Sequence, residues 1–110
     1  MSIRFAAIVT RVCAASLAFV ICAAPAWADP NDGEKLARRW CAACHLVAPD
    51  QQRATTDAPS FAAIARAPGF NREKLAFLLL EPHPKMPSMA LSRSEAADLA
   101  DYIAKLGESR

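Results

Sequence analysis

Residues 38–47 read RRWCAACHLV. Two thiols, Cys41 and Cys44, stand three apart, and an imidazole, His45, follows at once. A metal, a disulfide and a covalently held cofactor each want such a set. Each also wants a different scaffold around it, so the reading of these ten residues decides the fold.

Upstream, residues 1–28 read as a secretory signal peptide. Arg4 and Arg11 give the positive start, and Val12–Ala24 is an uncharged, mostly apolar run of 13 residues. Ala26-Trp27-Ala28 then offers small residues at −3 and −1 of a cut after Ala28. The run is shorter than the roughly 20 residues that span a bilayer, so no stable membrane insertion is expected after the cut. Cys22 lacks the small residue that a lipoprotein site wants before it, since Ile21 precedes it. The expected location is the periplasm.

The remaining chain, 29–110, is one small domain. The full chain has 13 Lys and Arg against 11 Asp and Glu. Arg4 and Arg11 leave with the signal, and the balance becomes 11 against 11, a net charge of zero. The basic excess belongs to the export signal and does not argue for nucleic acid. Cys13 and Cys22 leave too, so only Cys41 and Cys44 remain. One cysteine pair is not a disulfide scaffold. A domain this small buries a thin core and wants a staple such as a metal or cofactor.

Strand signals are nearly absent, whereas helix starts are frequent, so the class is all-α, three to four helices with long loops. Asp29 caps a first helix from Pro30 to about Cys44, with Gly33, Leu36, Ala37 and Trp40 on one apolar face. Ser60 caps a short helix over Phe61–Arg66. Asn71 opens REKLAFLLL, with Leu75, Leu78 and Leu79 on its buried side, and Pro82 ends it. EPHPKMPSMA, residues 81–90, is a stiff extended loop. Ser92 to Glu95 is a capping box. It starts a helix that buries Ala96, Leu99, Ile103 and Leu106, with Gly107 as its stop.

Against this background three readings of the cysteine pair weaken. A structural zinc site needs four ligands, and only His83 could add a third nitrogen or sulfur of the usual kind. A redox dithiol wants a strand before it. A disulfide across two residues would constrain little. Covalent haem remains. On a helical turn Cys41 and Cys44 share a face and meet the two vinyl groups of one porphyrin edge, with His45 beneath the iron as axial ligand. C-x-x-C-H in an exported chain reads as c-type haem attachment.

With these residues in place, the chain resembles the class I cytochromes c, small monohaem electron carriers, over nearly all of 29–110. Gly33 stands eight before Cys41, where the family has a glycine that lets the first helix cross closely over the last. Leu99 and Tyr102 fall where the family has apolar and aromatic partners. APSFAAIA, residues 58–65, resembles the segment whose proline carbonyl, here Pro59, accepts the axial histidine's second N–H. A simple turn proline is the plainer reading of Pro59.

The resemblance also implies a sixth iron ligand from the loop before the last helix. KMP favours Met86; Met89 reads better as core filler, and His83, between two prolines, as a loop residue. Trp40 is expected to pack on the helix face. Arg53, Arg66 and Lys85 are candidates to pair with haem propionates, with solvated charge as the default. The expected function is one-electron transfer, without a general acid, base or nucleophile. The protein would be a monomer passing electrons from a dehydrogenase or quinol-oxidising complex to an oxidase or another cytochrome. Two other readings stand beside it. One is a haem protein with an open sixth site, a gas sensor or small peroxidase. The other is a haem-bearing subunit of a dehydrogenase complex.

Overall fold

A computed structural model describes residues 23–81 and 84–109. The expected signal segment up to residue 22, and with it Pro82 and His83, lies outside the described residues. Four helices follow one another: α1 Pro30–Leu36, α2 Phe61–Ala65, α3 Arg72–Leu80 and α4 Arg93–Glu108. Among the described residues there is no strand.

Each helix starts where a short polar side chain can take a free backbone N–H. Asp29 accepts from Asn31 at 2.8 Å, Ser60 from Ala63 at 3.1 Å and Asn71 from Lys74 at 2.8 Å. At Ser92 both arms of the capping box are formed, with the Glu95 carboxylate accepting from the Ser92 N–H at 2.7 Å. Such a cap is worth about 1 kcal/mol.

The core lies on α4. Helices α1, α2 and α3 all pack against it. Its inner face carries Ala96, Leu99, Ala100, Tyr102 and Ile103, all buried. Leu99, Tyr102 and Ile103 form one core cluster with Ala37, Cys41, Val47, Ala48 and Phe61. The α1–α4 crossing is close because Gly33 has no side chain. A Cβ there would strike the Asp98 carbonyl and stand 2.8 Å from the Tyr102 Cβ.

Four expectations need correction. The first helix does not run to Cys44. After Leu36 it widens into a π-turn, Ala37–Cys41, closed by the Ala42 N–H donating to the Ala37 carbonyl at 3.1 Å. Five residues rather than four per hydrogen-bonded turn change the facing of everything beyond. Cys41 takes the inward position that an α-helix would have given Trp40, and Trp40 is 52% exposed with the Arg39 guanidinium 4.9 Å from its ring. Helix α3 buries no residue fully. Leu75 and Leu79 pack partly against the core, but Leu78 is 43% exposed. Finally, α4 does not stop at Gly107 but runs through it to Glu108. Gly107 serves packing: a Cβ on it would stand 2.8 Å from the Ala65 Cβ.

Candidate functional site

The π-turn delivers Cys41 to the edge of the core, and a tight turn carries the chain on through Cys44 and His45. The Cys41 carbonyl accepts from the Cys44 N–H at 3.1 Å and from the His45 N–H at 2.9 Å. Both cysteines are free thiols. Cys41 is buried and Cys44 half-buried. Burial, with a smaller push from Cys44, raises the Cys41 thiol to about 11. Among the described residues, no three His, Cys, Asp or Glu side chains stand together as a metal cluster.

His45 is held from one side. Its Nδ1 lies 2.7 Å from the Pro59 carbonyl. A carbonyl only accepts, so Nδ1 carries a proton, and in the neutral ring the lone pair then lies on Nε2. The Phe61 ring lies 5.4 Å away at a 48° tilt.

What the sequence did not reveal is how completely the turn is clamped. The Ala42 and His45 carbonyls accept from the Gln51 amide at 2.8 and 2.9 Å. The Ala43 carbonyl accepts from the Thr55 N–H at 2.9 Å and its hydroxyl at 2.6 Å, and the Cys44 carbonyl from the Thr56 hydroxyl at 2.8 Å. The Leu46 carbonyl accepts from the Phe61 N–H at 3.0 Å, and the Val47 carbonyl from the buried Tyr102 hydroxyl at 2.7 Å. Gln51 closes the set by accepting from the Val47 N–H at 2.8 Å. The only hint in the sequence was a polar Gln-Thr-Thr content directly after the motif. The Arg38 guanidinium adds a tie between α1 and this loop, reaching Glu34 and Asp50 at 2.8 Å each.

Tyr102 gives a sharp test of this clamp. Tyr102→Phe leaves the Val47 carbonyl buried and unpaired, which costs about 2 kcal/mol. The expected result is a lower urea midpoint with an unchanged m value.

The other expected residues are more scattered. Met89 packs partly against the core, as a filler would, while Met86 is half-buried in the loop between α3 and α4 and is not among the core neighbours. His83 lies outside the described residues. The Arg66 guanidinium donates to the Ser109 carbonyl at 2.6 Å and so pins α2 to the end of α4. Arg53 and Lys85 are exposed.

The residues present fit haem c. Two free thiols stand beside an imidazole whose Nε2 lone pair is available, and Phe77, Leu78 and Leu80 on α3 offer apolar surface of the kind a porphyrin buries, 64, 43 and 41% exposed. No helix among the described residues is long and apolar enough to cross a membrane.

Comparison with known proteins identifies the family. Residues 28–103 match the family described as cytochrome c oxidase, cbb3-type, subunit III. The chain is also similar to a cytochrome c-552 of Bradyrhizobium diazoefficiens, 61% identical over 79 residues, which is 72% of this chain and 76% of that one. No solved structure matches. The chain belongs to the cytochrome c family, as an electron-transfer protein with covalently bound haem c.

Proposed function

We propose that this chain is exported, loses residues 1–28, and works in the periplasm as a one-electron carrier between a donor dehydrogenase or quinol-oxidising complex and an acceptor oxidase or cytochrome. Cys41 and Cys44 would hold the haem through thioethers, and His45 Nε2 and Met86 would ligate its iron. The observation that carries this reading is the His45–Pro59 hydrogen bond of 2.7 Å beside two free thiols. It selects the tautomer and fixes the ring that a ligand histidine needs.

Bound haem supplies the one-electron change between ferric and ferrous iron. The chain's own residues do the rest. Pro59 holds the proton on Nδ1 and so keeps Nε2 basic. Gln51, Thr55 and Thr56 keep the thiols and the imidazole on one rigid turn. A thioether sulfur from Met86 raises the potential relative to a second imidazole, which suits a carrier. Pro84 and Pro87 around it limit the freedom that ligation would otherwise remove.

Met86→Ala tests the assignment. The oxidised protein is expected to lose its near-red methionine-to-iron absorption band, and the reduced protein to gain carbon monoxide binding that the unaltered protein lacks. If the band survives in Met86→Ala and vanishes in Met89→Ala, the sixth ligand is Met89. If the unaltered reduced protein binds carbon monoxide readily, the open-site reading replaces the carrier.

The family description also names an oxidase subunit, which favours a second reading as a resident subunit of an oxidase-type complex. Size-exclusion of gently solubilised native extract separates the two: a carrier elutes near its own mass, a subunit with its complex.

A further inference from the structure

The bond between Ala28 and Asp29 falls at the edge of the fold. Residues 23–27 are exposed and non-helical, whereas α1 begins at Pro30. The Asp29 carbonyl accepts from the Gly33 N–H at 3.0 Å, and its carboxylate caps Asn31. More telling is its own N–H. It donates to a carboxylate oxygen of Asp98, on α4, at 2.7 Å across a sequence separation of 69. In the unprocessed chain this donor is a neutral amide.

We propose that processing turns this contact into an ion pair: the freed α-ammonium of Asp29 docks on Asp98 and fastens the start of the mature chain to its last helix. The inference rests on the reading of residues 1–28 as a cleaved signal. In the step itself, water hydrolyses the Ala28–Asp29 amide. The carboxylate leaves with the leader and the amine, protonated at neutral pH, stays on Asp29.

Electrostatics makes Asp98 more than an incidental neighbour. A positive charge at a helix N-terminus opposes the helix dipole and is unfavourable there. The new ammonium is therefore poorly placed with respect to α1 unless a carboxylate faces it. Asp98 comes from a different helix, at the same crossing where Gly33 lets α1 approach the Asp98 carbonyl. The hydrogen bond becomes charge-assisted, the stronger kind, and the expected cut falls just before Asp29, the first residue whose backbone the fold uses.

The test uses the exported holoprotein. Intact mass first reads where the mature chain starts; a start other than Asp29 sinks the processing reading and this inference with it. A second form carries Ala-Gly-Ser inserted between Ala28 and Asp29, so that export leaves Asp29 with an amide N–H and moves the ammonium three residues away. Asp98→Asn is then made in both forms and unfolding by urea is compared. The expected result is a larger effect in the native-start form, by about three- to fivefold in the unfolding equilibrium constant, the scale of a partly exposed ion pair. An equal effect of Asp98→Asn in both forms, with the start at Asp29 intact, means a plain amide hydrogen bond and overturns the ion pair while leaving processing in place.

Discussion

With Cys41 and Cys44 both changed to serine, the exported chain will show no haem on a denaturing gel stained for peroxidase activity. A thioether forms when a thiol S–H adds across a vinyl group, and a serine hydroxyl is too weak a nucleophile to follow. Because His45 and its Pro59 partner are untouched, residual haem can still be held by ligation in the native protein. Comparing visible absorption before and after denaturation therefore separates attachment from ligation. The effect on folding should be large as well. Among the described residues the largest fully buried side chains are Leu99, Ile103 and Val47. A domain with so thin a core depends on its cofactor for stability. Loss of haem is expected to abolish cooperative unfolding followed by far-ultraviolet circular dichroism. Haem that stays with the serine variant through the denaturing gel would mean that the thiols do not hold it.

The second large effect is at Gly33. Gly33→Val should destabilise the haem-bearing protein by about 3 kcal/mol, the upper part of the range for overpacking a close contact. Two terms compete when any side chain is added here. Replacing glycine inside a helix gains about 1 kcal/mol of propensity at best, for alanine. Against it stands a collision with the Asp98 carbonyl and with the Tyr102 Cβ at 2.8 Å. Backbone cannot swing aside as a flexible side chain can, so the clash wins. Gly33→Ala should lose stability too, by less. The urea midpoint reads both, and a Gly33→Val variant within 0.5 kcal/mol of the parent would show that the crossing relaxes freely. Because Tyr102 also clamps the motif loop, Gly33→Val should disturb the site as well as the fold.

Much of this was legible in the sequence, for identifiable reasons. All four helix starts were marked by Asp29, Ser60, Asn71 and Ser92, because capping is local chemistry within three residues of the cap. The C-x-x-C-H spacing announced the cofactor class, and the resemblance implied both the Gly33 crossing and a partner for His45 at Pro59. What was not legible depends on tertiary context. Apolar periodicity assumes an α-helix, so it put Trp40 inside; the π-turn at Ala37–Cys41 gives that place to Cys41. Leu75, Leu78 and Leu79 of α3 looked like a buried stripe, yet Leu78 is 43% exposed. Gly107 looked like a helix stop because glycine often is one, whereas here it makes room for Ala65. Gln51, Thr55 and Thr56 gave no motif at all. Their role exists only once the turn curls back to present its carbonyls.

The clamp between Tyr102 and Val47 has a consequence in time. The two residues joined by this contact are 55 apart in sequence. Until α4 docks, the core beside Cys41 lacks Leu99, Tyr102 and Ile103. Contacts of such long sequence separation form late, after the cost of closing the loop has been met. The folding chain therefore passes through a stage in which both thiols and the imidazole are in place and less covered than in the finished fold. Part of the burial that covers Cys41 in the finished fold is absent at that stage, which is when a bulky planar partner would reach it most easily.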